Sequence, residues 1–133
     1  MVKPDGVLRN LVEEVSNRIK KSGLVITKSR FADITPDEAK RLYKVHEKKI
    51  FYAGLLKFIT SGPVFLMKIE GEDAIANLRE LMGATDPREA KPGTIRGDLK
   101  EENIFTENGS IKNIIHGSDC RENAEYELSI FFK

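Results

Sequence analysis

The sequence predicts an α+β domain of ferredoxin-like βαββαβ order: a four-stranded antiparallel sheet with helices packed on one face and a long loop before the last strand. Three observations predict it. Residues 24–31 and 64–69 are rich in β-branched and aromatic side chains and are strands. Helical apolar spacing lies before, between and after them. A stretch without period, residues 83–113, then leads to a short apolar run at 112–116 and a closing helix.

Met1-Val2-Lys3 ends a first strand that this topology sets in mid-sheet. So short a strand leaves its neighbours partly unpaired, which predicts residues before Met1 or a displaced start. Leu8, Leu11, Val12, Val15 and Ile19 then share one helical face up to Lys20-Lys21-Ser22-Gly23, a basic last turn with a glycine stop. After the strand at 24–31, Thr35-Pro36-Asp37-Glu38 supplies an N-cap, a proline at the first helical position and a capping-box glutamate. The helix it starts carries Ala39, Leu42, Tyr43 and His46 on one face, with His46 read as packing or solvated. Phe51, Leu55, Phe58 and Ile59 form the next stripe, closed by Ser61-Gly62-Pro63. Beyond the strand at 64–69, Ile75, Leu78 and Met82 mark a helix to about Gly83.

A chain of 133 residues suits one domain spanning 1–133. With 22 basic and 21 acidic residues the net charge is +1, so any anion site must be local and no nucleic-acid partner is required. Cys120 is the only cysteine, which excludes an internal disulfide and the usual zinc clusters. Its spacing from His116 permits a Cys/His pair, but a small residue in a first helical turn is the favoured reading. No apolar run nears the roughly 20 residues of a membrane span and no signal pattern opens the chain, so a cytoplasmic protein is expected.

Chemistry concentrates at Asn113-Ile114-Ile115-His116-Gly117-Ser118-Asp119, where a histidine ends a strand just before a helix. Asp119 and Glu122 have capping-box spacing, and Ala124, Leu128 and Phe131 form the buried stripe of the last helix. Glu127 falls at the edge of that stripe, turned toward the sheet. Its expected purpose is to orient His116, directly or through Ser118, because a nucleophilic imidazole needs one nitrogen fixed and the other free.

The loop at 83–98 is stiffened by prolines, opened by glycines, and carries Arg88, Lys91 and Arg96. With Arg79 and the hydroxyls of Thr85 and Thr94 it offers donors for a polyphosphate, each charge-assisted bond worth roughly 1.5–3 kcal/mol. Neither the P-loop motif nor the dinucleotide fingerprint is present.

Taken together, Val2-Lys3-Pro4-Asp5-Gly6-Val7, Phe51-Tyr52-Ala53-Gly54-Leu55, Ser61-Gly62-Pro63-Val64, Lys91-Pro92-Gly93-Thr94-Ile95-Arg96-Gly97-Asp98 and the run at 113–119 resemble the nucleoside diphosphate kinase family. The resemblance extends from Val2 to about Phe132 and keeps family order. It implies transfer of a γ-phosphoryl group from a nucleoside triphosphate, typically ATP, to a nucleoside diphosphate, by a ping-pong route through phospho-His116. It implies that Glu127 and Ser118 hold the imidazole and that Tyr43 lines the site near the transferred group. Lys3 meets phosphate and ribose, Asn113 meets ribose, Arg79, Thr85 and Arg96 meet phosphates, and Phe51 stacks on the base. Asp119 is implied to hold Mg²⁺ through water. Partners implied are nucleotides and further copies of the chain, in a hexamer or tetramer built from dimers.

Besides the shortened first strand, two departures from the family pattern are expected. Residues 99–112 read as an inserted hairpin with an Asn108-Gly109 turn beside the nucleotide site, and the chain stops at Phe131-Phe132-Lys133 without a buttressing tail. The competing reading is a non-catalytic ferredoxin-like nucleotide-binding or regulatory module, since fold does not fix function. An RNA-binding sheet needs exposed aromatics, and the strand at 64–69 offers only Phe65.

Overall fold

The computed structural model describes residues 1–132 and leaves Lys133 outside. In order the elements are α1 (Pro4–Leu8), α2 (Val12–Lys21), β1 (Val25–Ala32), α3 (Pro36–Leu42), a 3₁₀ turn (Lys44–His46), α4 (Tyr52–Ile59), β2 (Val64–Glu70), α5 (Ala74–Met82), α6 (Ile95–Leu99) and α7 (Arg121–Phe131).

β1 and β2 pair antiparallel from Val25 opposite Glu70 to Ala32 opposite Val64, with a register irregularity between Ile26 and Lys28. The sheet found among the described residues has these two strands, not four. Val2 makes single antiparallel bridges to Phe65 on one side and Ile115 on the other, so the remaining two strand positions survive only as isolated bridges. The reason is local. Pro4, which has no N–H, starts α1 directly after Lys3, and Ile114 has φ +74°, which breaks extended backbone on the other side of Val2.

The helices cover both faces of β2, where one face was expected. Val64 and Leu66 pack with Ala39, Leu42, Ile59, Ile130 and Phe131, whereas Met67 packs with Val2, Val15, Ile19, Met82, Ile95 and Ile115. Alternate residues of a strand point to opposite faces, and a strand buried on both reads as the continuous apolar run seen at 64–67, before Lys68.

The single first helix is also two. Leu8 ends α1 and is 87% exposed, and Asn10 takes a left-handed φ of +59° before α2 begins. The capping box at Thr35 and Glu38 forms in both directions. The one expected at Asp119 and Glu122 does not: Cys120 is the N-cap of α7 with no side-chain cap bond, and Asp119 accepts from the Asn123 amide instead. Tyr43 is the C-cap of α3, so His46 belongs to a separate 3₁₀ turn. Residues 83–113 hold one unforeseen element, α6, whose five residues fall below the length at which periodicity is readable.

Candidate active site

His116 reaches the site from the far end of the turn that Ile114 creates. Ile115 N–H donates to the Asn113 carbonyl at 2.8 Å, which closes a γ-turn around Ile114. The His116 N–H then donates to the Met1 carbonyl at 2.8 Å. From α7, Glu127 Oε1 meets His116 Nε2 directly. Their side chains are 15% and 28% exposed, so the pair lies at the floor of an opening and not within the core. With Nε2 engaged, Nδ1 is the nitrogen left for chemistry. Burial pushes the His116 ring below the ordinary imidazole range, against the pull of Glu127, so the neutral form prevails at neutral pH.

That opening is a cavity of about 860 Å³. Lys3, Tyr43, Phe51, Arg79, Thr85, Arg96, Asn113, His116, Asp119 and Glu127 all line it. Ser118 does not. It lines a smaller, largely apolar hollow of about 110 Å³ that His116 and Glu127 also line, and of the two routes expected, direct or through Ser118, the contact formed is the direct one from Glu127.

Lys3 is 6% exposed, and its Nζ donates to Asn113 Oδ1 at 2.9 Å and lies 5.0 Å from the Phe58 ring centre. Burial lowers it to about 8 despite neighbouring Asp5. Arg96, 7% exposed on α6, donates to the carbonyls of Asn113, Gly83 and Ile115 at 3.1, 3.1 and 2.6 Å. Burial, then Arg79, lowers it to about 10. Asn113 Nδ2 donates to the Thr85 carbonyl at 2.9 Å, and Arg79 to the Gly117 carbonyl at 3.2 Å. Tyr43 is buried, which raises its phenol above the ordinary range, with Glu127 adding to the effect. Phe51 stands 47% exposed at the mouth.

Of the loop at 83–98, only part reaches this cavity. Thr94 spends its hydroxyl on α6, accepting from Gly97 N–H and donating to the Lys91 carbonyl. A Cβ at Gly97 would stand 2.2 Å from that carbonyl, so glycine alone lets α6 seat and aim Arg96 inward. Arg88 pairs with Asp86 at 2.7 Å and covers the Phe105 ring at 5.2 Å; neither it nor Lys91 is on the cavity wall. The hairpin at 104–112 does form, with Phe105 bridged to Ile111 and Gly109 at φ +78°, and Phe105, Gly109, Ser110 and Ile111 join the wall. Sequence reading missed Arg41, Lys44, Asn123 and Tyr126, which line it too. They come from α3, the 3₁₀ turn after it and α7, and nothing in their spacing marked them.

Basic side chains on the wall (Lys3, Arg41, Lys44, Arg79, Arg96) outnumber the acids Asp119 and Glu127. Lys3 and Arg96 are almost fully buried with no ion pair to a carboxylate, and buried Asp5, which acts on both, is one negative charge against two cations, so an entering anion improves the balance. The profile of the nucleoside diphosphate kinase family matches residues 1–133. The chain belongs to that family. Nucleoside diphosphate kinases from Sulfurisphaera tokodaii and Bacillus licheniformis are 47% and 49% identical to it over 133 residues, all of this chain and 86% and 85% of those proteins. Among solved structures, the nucleoside diphosphate kinase of Halobacterium salinarum with CDP superposes with a TM-score of 0.88 at 45% identity, covering 99% of this chain and 84% of that one. A transition-state mimic of the Borrelia burgdorferi enzyme with vanadate and ADP gives a TM-score of 0.91 at 36% identity, over 99% and 83%. The chain is accordingly a nucleoside diphosphate kinase by family, a phosphotransferase acting on nucleotides. No helix among the described residues is long and apolar enough to cross a membrane.

Proposed function

We propose that phosphoryl transfer from a nucleoside triphosphate to a nucleoside diphosphate runs through His116. The carrying observation is the ring itself: Nε2 is fixed by Glu127, Nδ1 makes no hydrogen bond, and His116 lines a basic cavity. In the first half-reaction the Nδ1 lone pair attacks the γ-phosphorus, the N–P bond forms, and the bond to the bridging oxygen breaks with release of the diphosphate. In the second, an oxygen of an acceptor diphosphate attacks the same phosphorus and the N–P bond breaks. Both reactants are anionic phosphates, so positioning and charge neutralisation supply most of the catalysis. In this reading Glu127 stabilises the imidazolium character that develops on the ring.

Lys3, Arg79, Arg96 and the Thr85 hydroxyl would bind phosphates, with Tyr43 close to the transferred group. Asn113, already tied to Lys3, would bind ribose together with it. Phe51 would stack on the base, a contact that any purine or pyrimidine can make. For Ser118 we retain only a packing role beside the histidine. The complexes of relatives with CDP and with ADP and vanadate support nucleotides of this class as substrates.

Mg²⁺ is the implied cofactor. No group of three or more His, Cys, Asp or Glu that could hold a metal occurs among the described residues, and Asp119 is the one cavity carboxylate not engaged with His116. That donor set fits a cation carried in on the nucleotide phosphates and touched through water. When bound, such a cation spreads the charge of the transferring group. Self-association into a hexamer or tetramer of dimers belongs to the same proposal, and so does a cytoplasmic setting. Val25 and Phe31 on edge strand β1 are 57% and 59% exposed, as an interface would require, and the free exposed Cys120 suits a reducing compartment.

Incubation with γ-labelled ATP and Mg²⁺ should give an acid-labile, base-stable phosphoprotein that any nucleoside diphosphate discharges. A wild-type chain that turns over while His116 stays unlabelled would refute the assignment.

A further inference from the structure

The γ-turn before His116 is held at all three carbonyls and at the amides of Ile114 and Ile115, and one holder stands outside the cavity. Asn113 O accepts from Ile115 N–H and Arg96 Nε, Ile114 O from Lys3 N–H at 2.7 Å, and Ile115 O from Arg96 Nη2. The Ile114 N–H donates to Asp5 Oδ2 at 2.9 Å.

Ile114 is β-branched, fully buried and at φ +74°. Such a conformation persists only where its surroundings over-determine it. The turn's own hydrogen bond leaves the Ile114 N–H without a partner, and in a dry site that donor must be met or the turn relaxes. Asp5, 6% exposed in α1, meets it. Close approach is built in: a Cβ at Gly6 would lie 3.1 Å from the Ile114 carbonyl, so α1 sits directly on the turn. Arg96 holds the other two carbonyls but also lines the cavity, whereas Asp5 does not.

We infer that Asp5 is a positioning residue, which fixes the strained turn through Ile114 N–H and thereby sets the direction of the His116 ring toward Glu127 and the bound phosphate. The inference rests on His116 as phosphoryl acceptor. Asp5 touches no substrate on this account; its effect passes along the backbone from Ile114 to His116.

The test uses the full chain and the variants Asp5→Ala, Asp5→Asn and Asp5→Glu. Rapid-quench phosphorylation by γ-labelled ATP is measured with ADP affinity and with the ¹⁵N–¹H resonance of the His116 Nε2 proton. Asp5→Ala should lower the phosphorylation rate about 10²-fold, the scale of a misplaced reacting group, with the Nε2 proton broadened by exchange and with ADP affinity equal to that of Asp5→Asn, since both variants remove the charge that acts on Lys3 and Arg96. Asp5→Asn keeps an acceptor for Ile114 and should restore most of the rate and the resonance. Asp5→Glu keeps the charge but overshoots the amide, and should fail in the same direction as alanine, which covers the case of an alanine variant that does not fold. Wild-type rate and an unchanged resonance in Asp5→Ala or Asp5→Glu overturn the inference. So does an asparagine variant that recovers neither. A wild-type protein that takes no label from ATP overturns the phosphohistidine reading instead, and the ring resonance then decides Asp5 by itself.

Discussion

At the floor of the cavity, Asn113, Ile114 and Ile115 are buried, their three carbonyls and the amides of Ile114 and Ile115 are hydrogen-bonded, and the His116 ring is held by Glu127. At the mouth, Phe51 is 47% exposed with the His46 ring 5.7 Å away, and Phe105 is 39% exposed on a small hairpin. The first region is over-determined and the second is loosely held. Phosphoryl transfer tolerates little misplacement of the attacking atom, whereas stacking on a base accepts any π face. Rigidity is therefore concentrated where the bond changes, and the surface that meets the variable part of the substrate is left adaptable.

The sharpest way to break this contrast is at the floor. His116→Ala should lower phosphotransfer by roughly 10⁴-fold or more, as loss of a nucleophile does, with an unchanged circular dichroism spectrum; a variant that retains turnover would remove the histidine from the chemistry. Glu127→Ala should cost about 10²-fold in kcat through ring orientation, with nucleotide affinity preserved in equilibrium titration. A loss in affinity with kcat intact would move Glu127 to the binding side. At the mouth the pattern should invert. Phe51→Ala should raise KM by the worth of one stack, about 1–3 kcal/mol, similarly for purine and pyrimidine nucleotides, with kcat little altered.

Smaller effects sharpen the same division. The pH profile of kcat/KM should fall on the acid side below the ordinary imidazole range, because burial holds His116 down and protonation removes the lone pair. It should fall again above about pH 8, where buried Lys3 loses its proton and its attraction for phosphate. A plateau running unbroken to high pH would show that Lys3 acts without its charge. Away from both regions, Thr35→Ala should remove the reciprocal cap of α3 and lower stability by about 1 kcal/mol in denaturant unfolding, with the rate per folded molecule unaltered.

Elements with strong local signatures were legible before any coordinates. The cap and proline at Thr35–Glu38 set the start of α3, the apolar run set β2, and the Asn108-Gly109 turn set the hairpin, each because nearest neighbours in sequence carry the cause. Less legible were features whose cause lies far along the chain. Residue 114 is an isoleucine in an apolar run and reads as strand. Asp5, more than a hundred positions away, and Arg96 hold it in a γ-turn. Asp119 and Glu122 have capping spacing, yet Asp119 spends its carboxylate on Asn123. The five-residue α6 is too short for any period, and its glycine is required by contact with Lys91, which spacing does not record.

From the sequence alone came the family, the residue types of the chemistry and the pairing of His116 with Glu127, because motifs and helical spacing are local properties of a chain. The tertiary structure decided which of the loop's cations face the substrate, that Ser118 lines the smaller hollow, and that two expected strands shrink to single bridges. Those outcomes depend on which groups, remote in sequence, compete for the same buried hydrogen bonds, and that competition exists only once the chain has folded.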